Sequence, residues 1–260
     1  MNVLVFDIET VPDVATGRKL HSLAGLSDAD VARVMFEKRR EETGESDFLR
    51  HHLHRIVAIS TVLRHGERLR VWSLGDNDSS EAELITRFFD GIEKFAPTLV
   101  SWNGGQFDLP VLHYRALLHG ITAPRYWDTG DLDREFRWNN YLNRFHERHT
   151  DLMDVLAGYQ PRAVAPLGEI AVMLGLPGKM GASGADVWKN YCAGKLDEIR
   201  NYCETDVLNT YLIYLRWELL RGNLDTAGWQ REQQLVRETL QAEHKPHMQA
   251  FLEAWDRQAG

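Results

Sequence analysis

The chain has 260 residues, with 30 Lys and Arg against 38 Asp and Glu, a formal net charge of −8 and 43% hydrophobic residues. That composition excludes a collagenous or disordered chain and fits one large globular domain or two small ones. The acidic balance also argues against a protein that coats nucleic acid by bulk charge, since such domains carry a strong basic excess.

Residues 2–10 read as a strand, because Val3, Leu4, Val5, Phe6 and Ile8 form a near-continuous apolar run suited to burial on both faces. A polar, partly helical insert is expected over about 12–54, with Ser27 and Asp30 marking a helix start and Val31, Val34 and Met35 a short apolar stripe. Ile56–Leu63 and Leu69–Leu74 are strand-like, and Gly66 between them predicts a hairpin. Ser80 and Glu83 open the clearest amphipathic helix, with Leu84, Ile85, Phe88, Phe89, Ile92 and Phe95 at helical spacing and Pro97 after it.

Thr98–Trp102 then reads as a short strand, Asn103-Gly104-Gly105 as a turn, and Asp108 to Gly120 as a helix ended by glycine. Residues 121–149 show no clear period. Thr150–Leu156 is expected as a strand, Leu167–Leu174 as a short helix, Gly175–Gly184 as a loop, and Ala185–Ala193 and Leu196–Leu220 as helices. The tail from Gly222 is polar and amphipathic and is expected to pack as a helical appendage. We read residues 1–221 as one domain with an insert, and 222–260 as a tail on the same domain. This order predicts an α/β fold: a ribonuclease-H-like mixed sheet flanked by helices.

Cys192 and Cys203 are too few for a disulfide framework and form no Cys-x-x-Cys pair, so free thiols in a reducing cytoplasm are expected. The N-terminus has no basic segment before a long apolar run, which predicts no signal peptide. No stretch of about 20 apolar residues occurs, so no membrane association is expected.

Asp7 and Glu9 lie two apart on the first strand, hence on one face. Two like charges at the end of a buried strand repel and lose hydration unless a cation lies between them; the other reading is that the strand has ended and both are solvated. Asp108 reads either as a helix cap ahead of Pro110 or as a site residue, since it follows the C-terminal end of a strand, where ligands gather in α/β sheets. Tyr202 and Asp206 are i, i+4 on the longest predicted helix, either a core aromatic and a surface acid or one functional face. Taken together, Asp7, Glu9, Asp108 and Asp206 could neutralise two hard divalent cations, Mg²⁺ or Mn²⁺ rather than zinc.

Phe6-Asp7-Ile8-Glu9-Thr10, Asn103-Gly-Gly-Gln-Phe107-Asp108 and Tyr202-Cys-Glu-Thr-Asp206 resemble, in order, the three motifs of the DEDD, or DnaQ-like, 3′–5′ exonucleases. The second has the form found in family B DNA polymerase proofreading domains. Asn201 stands where the histidine branch would carry its histidine, so the tyrosine subclass (DEDDy) is implied. The chain is similar to stand-alone bacterial predicted exonucleases of that kind, from about residue 1 to 220, and its length leaves no room for a polymerase domain.

The resemblance implies that Asp7, Glu9, Asp108 and Asp206 ligate two Mg²⁺ or Mn²⁺ ions and that Tyr202 orients the attacking water. Thr10, Asn103, Phe107 and Lys179 would contact the terminal nucleotide. It implies hydrolysis of the terminal phosphodiesters of single-stranded DNA or DNA 3′ ends to nucleoside 5′-monophosphates, with nucleic acid as the partner and no obligate protein partner. RNA or short oligoribonucleotides are the alternative substrate, and an inactive nucleic-acid-binding module the alternative class.

Arg134 to Arg148 interleaves basic and aromatic residues, including Phe136, Trp138, Tyr141, Arg144 and Phe145. This suits a single strand, or else an amphipathic helix with its rings in the core. His51, His52 and His54, without cysteine partners, are expected on the solvent or substrate side. Asp151 and Asp154 are expected to support the site without holding metal. Four acids offset by two divalent ions reconcile the net −8 with a protein that grips only a few terminal nucleotides.

Overall fold

The computed structural model describes residues 1–181 and 184–258. Strand β1 (Asn2–Pro12) enters the core and is followed by helices α1 (Val14–Leu20) and α2 (Asp28–Thr43) of the insert. Ser27 caps α2, its Oγ accepting the Asp30 amide at 3.2 Å. A turn at His51–Leu53 leads into β2 (His54–His65), which forms a hairpin with β3 (Arg68–Ser73). Then follow α3 (Glu81–Phe95), β4 (Thr98–Ser101), α4 (Asp108–His119) and β5 (His149–Asp151). Helices α5 (Leu152–Leu156), α6 (Leu167–Met173), α7 (Val187–Cys192), α8 (Leu196–Leu220), α9 (Thr226–Glu243) and α10 (Pro246–Gln258) complete the described chain.

The five strands form one mixed sheet in the order β3-β2-β1-β4-β5. β1 is antiparallel to β2 and parallel to β4, and β4 is parallel to β5. This is the ribonuclease-H-like arrangement that the element order predicts. The pleat of β1 divides the core. Leu4, Phe6 and Ile8 face the apolar sides of α3 and α4, whereas Val3 and Val5 pack with Val207, Leu208 and Tyr211 of α8. Asp7 and Glu9 continue the second row, so the acids point toward α8.

A buried ion cluster fixes α4 against the end of β1. Arg115 binds Asp13 at 2.5 Å and Glu81 at 2.6 Å, and Glu81 also accepts the Ile56 amide at 2.7 Å. Val236, Leu240, Met248, Phe251 and Trp255 of α9 and α10 share the cluster that covers α8, so the segment after Gly222 is packed on the same core.

Three expectations need correction. The strand expected over Thr150–Leu156 stops at Asp151, whose side chain accepts the Met153 amide and starts α5. The helix expected over Ala185–Ala193 is a short turn followed by α7. Residues 134–148 form no amphipathic helix: a single 3₁₀ turn at Arg134–Arg137 gives way to loop. Part of the loop expected over Gly175–Gly184, residues 182 and 183, lies outside the described residues. Cys192 and Cys203 are free thiols. Among the described residues no helix is long and apolar enough to cross a membrane.

Candidate active site

Three elements bring the acids together. β1 carries Asp7 and Glu9, α8 lies over them with Tyr202, Cys203 and Asp206, and α4 approaches from the other side of the sheet with Asp108. Glu9 is 8%, Asp108 4% and Asp206 8% exposed, and Asp7 is partly exposed. Asp108 is the first residue of α4 rather than its cap, since the cap position is Phe107. Its Oδ1 accepts the backbone N–H of Ile8 at 3.0 Å. The pairing of β1 with β4 covers only Val3–Val5, and past it the carboxylate takes the role of the missing strand.

The acids act on one another's charge. Burial and the charges of Asp108, Glu9 and Asp206 push the Asp7 carboxyl well above the usual carboxylate range. Burial, Asp206 and Asp108 do the same to Glu9, with Lys179 opposing. Burial raises Asp108 to about 7 against the opposing Ile8 hydrogen bond, and Asp206 to about 6 against the Tyr202 hydroxyl and Lys179. Buried carboxylates without matching cations are costly, and an all-oxygen donor set is what hard divalent cations require. The donor set therefore fits Mg²⁺ or Mn²⁺.

Asp7, Glu9 and Cys203 each place a donor atom within 4.8 Å of the others. The Cys203 thiol donates to the Asp7 backbone oxygen and to Oδ2, both at 3.4 Å. Burial and the adjacent acids push this thiol well up, so it is a proton-bearing donor that orients Asp7. Burial, then the nearby carboxylates, also raise the Tyr202 phenol far above its ordinary value; its hydroxyl bonds Asp206.

A cleft of about 700 Å³ opens beside Glu9 and is lined by Thr10, Phe48, His54, Phe107 and Lys179. The β1–β2 register shifts between Glu9 and Thr10. Such bulges re-aim side chains near active sites, and Thr10 Oγ1 here meets His54 Nδ1 at 2.8 Å. Phe107 sits half-buried among the rings of Phe48, His51 and His54, 5.1–5.8 Å between centroids. Burial lowers His54 to about 4, so this imidazole is neutral at physiological pH. His51 bonds the Gln106 carbonyl at 2.8 Å, whereas His52 packs against Tyr114.

The loop from Asn103 to Phe107 is held rigidly. Asn103 takes a left-handed backbone, φ 66°, which asparagine tolerates better than most residues. Asp151 accepts the amides of Asn103 and Gly105, both at 2.9 Å, and so holds this loop, as its supporting role predicts. A β-carbon on Gly104 would lie 2.5 Å from Ser101, so only glycine fits there. Asn103 and Gly105 are thereby fixed at the C-terminal end of β4.

Two residues to which the sequence reading gave no site role also build the site. Cys203, inside the third motif, is one. Asn209 is the other: fully buried on α8, it accepts the Gly178 amide at 3.3 Å and donates to the Gly178 carbonyl at 3.0 Å, fixing the loop that presents Lys179. The only sequence signal was a polar residue within an apolar helical stripe.

The family model described as "Predicted 3′-5′ exonuclease related to the exonuclease domain of PolB" matches residues 46–255, beginning after Asp7 and Glu9. The catalytic chain of DNA polymerase epsilon from Saccharomyces cerevisiae is 24% identical over 149 residues, 54% of this chain and 6% of that one. The corresponding polymerase epsilon chain of Schizosaccharomyces pombe is 25% identical over 149 residues, with the same coverage. The chain thus spans about 6% of the length of these relatives. Among solved structures, a family B DNA polymerase from the hyperthermophilic archaeon Pyrobaculum calidifontis aligns with 85% of this chain and 24% of its own, at 18% identity and a TM-score of 0.49.

Proposed function

The chain belongs to the family of predicted 3′–5′ exonucleases related to the exonuclease domain of PolB, and on that premise we propose that it hydrolyses the 3′-terminal phosphodiester of single-stranded DNA or DNA 3′ ends. The products are nucleoside 5′-monophosphates. The observation that carries this reading is that Asp7, Glu9, Asp108 and Asp206 lie close enough to act on one another's charge, with Glu9 lining the cleft. Residues 1–221 form the catalytic domain, and the tail packs onto it.

Asp7, Glu9, Asp108 and Asp206 would hold two Mg²⁺ or Mn²⁺ ions, which when bound supply positive charge at the phosphate and acidify water. In the reaction a water oxygen bonds to phosphorus, the bond to the penultimate 3′ oxygen breaks, and that oxygen takes a proton. Tyr202 keeps its own proton at physiological pH, because burial and the surrounding acids raise its pKa. It orients the water through its hydroxyl and is not the general base. Phe107 packs on the terminal base or sugar, and Lys179 meets the terminal phosphate at the cleft's edge. Thr10 and Asn103 contact the sugar and base.

Parallel digestion of 5′- and 3′-labelled DNA and RNA oligonucleotides with Mg²⁺ or Mn²⁺ tests the reading. A ladder from the 5′ label, immediate loss of the 3′ label and silence in EDTA are expected. The reverse polarity, or no digestion of any substrate, overturns it. The same gel separates DNA from RNA preference.

A further inference from the structure

Arg144, Phe145 and Tyr159 form a cluster joined to the Asn103–Phe107 loop. The Arg144 guanidinium lies 5.0 Å from the Tyr159 ring and 5.7 Å from that of Phe145, and the two rings meet edge to face at 5.0 Å. Phe145 is nevertheless 69% exposed. A single exposed apolar side chain needs no explanation, but this one is accompanied by a strained neighbour. Tyr159 has φ 59°, a left-handed backbone that a bulky residue adopts only when its surroundings enforce it. Its amide donates to the Asp154 carbonyl at 2.8 Å, and its hydroxyl to the Arg144 carbonyl at 3.4 Å.

The same cluster is wired to the active-site loop. Asp154 accepts Arg144 at 2.8 Å through one carboxylate oxygen and Gln106 at 3.1 Å through the other. Gln106 is next to Phe107 and two residues from Asp108. Asp154 thus fixes the half-exposed Arg144 guanidinium, which lies over the exposed Phe145 ring, and ties it to the loop that carries Phe107 and leads to Asp108. A phenyl face beside a cation is the pair that single-stranded nucleic acid uses: bases stack on the ring, and phosphates meet the charge. The buried rings of the same segment, Phe136 and Tyr141, serve the core.

We propose that Arg144, Phe145 and Tyr159 are a second nucleotide subsite, which stacks an unpaired base upstream of the 3′-terminal nucleotide and pairs its phosphate with Arg144. The inference rests on the exonuclease reading. It makes the enzyme prefer single strands longer than a dinucleotide, because a base held in a duplex cannot turn onto the ring.

The test compares wild type, Phe145→Ala, Phe145→Trp and Arg144→Ala on a single-stranded octanucleotide and on the p-nitrophenyl ester of thymidine 5′-monophosphate, which fills only the terminal subsite. Phe145→Ala should lower the ratio of kcat/KM for the octanucleotide to that for the ester by about 5- to 100-fold, through KM, and Phe145→Trp should restore it. An unchanged ratio overturns the inference. A second assay, run in EDTA, uses oligonucleotides with 2-aminopurine at the second or third position from the 3′ end. Quenching on binding that is lost in Phe145→Ala supports the subsite, and its absence in wild type overturns it. If wild type cleaves neither substrate, the exonuclease reading fails and this binding assay alone judges the subsite.

Discussion

Asp108 Oδ1 and the backbone N–H of Ile8 are joined at 3.0 Å, which ties the acid of α4 to the residue between the two acids of β1. One carboxylate thus does a strand's work and stands among three others. Burial raises it to about 7, with the charge of Asp151 adding to the rise and the Ile8 hydrogen bond opposing it. Asp108→Asn keeps the acceptor and removes one charge. It should melt no lower than wild type in EDTA, yet lose the rise in Tm that Mn²⁺ gives wild type. Asp108→Ala orphans the Ile8 amide and should be less stable than Asp108→Asn by about 1–3 kcal/mol. Thermal melts with and without Mn²⁺ check both.

Asp7→Ala and Asp206→Ala each remove a carboxylate from the acid cluster, one on β1 and one on α8. Each should reduce metal-dependent release of mononucleotides below about one-hundredth of wild type, the loss typical when a group that stabilises transition-state charge is removed. Turnover near wild type in either variant, measured on a 5′-labelled oligonucleotide, contradicts the assignment of ligands.

Tyr202→Phe deletes only the hydroxyl that bonds Asp206. It should lower kcat by about 10²-fold while leaving the Mn²⁺-induced rise in Tm in place. Because the phenol stays protonated, the pH–rate profile of the variant should keep the wild-type shape. A lost titration step would make Tyr202 the base instead.

His149 gives a pH dependence of folding outside the carboxylate cluster. It is buried against Ser101, its Nε2 2.8 Å from the hydroxyl, and burial lowers it to about 4. In the unfolded chain its pKa is about 6.5. The unfolded state therefore binds the extra proton first, so this contribution to stability is complete above about pH 6.5 and is lost as pH falls toward 4. The slope reaches about 1.4 kcal/mol per pH unit. His149→Gln should lower the slope by that share in urea titrations run between pH 7 and 4.5, leaving the shares of His54 and His113, which burial likewise lowers to about 4.

The motif-bearing elements were legible because each has a local rule: an apolar run for β1, amphipathic spacing for α3, an i, i+4 pair on α8. What was missed depends on contacts across the chain. Thr150–Leu156 carries apolar residues that suit a strand, but Asp151 spends its carboxylate on the Asn103, Gly105 and Met153 amides and turns the chain into α5. The thiol of Cys203 and the amide of Asn209 look like core filling in sequence, and only the approach of β1 and of Gly178 gives them partners. The stretch 121–149 has no period because side chains hold it: Asp128 alone accepts four backbone amides, those of Gly130, Asp131, Leu132 and Asp133.

The central claim, hydrolysis at the 3′-terminal phosphorus, is tested most directly by digestion in ¹⁸O-labelled water with mass analysis of both products. The account predicts nucleoside 5′-monophosphates carrying one solvent oxygen in the phosphate and a shortened strand with an unlabelled 3′-hydroxyl. Release of 3′-monophosphates, label in the shortened strand, or no release in Mg²⁺ or Mn²⁺ would contradict it.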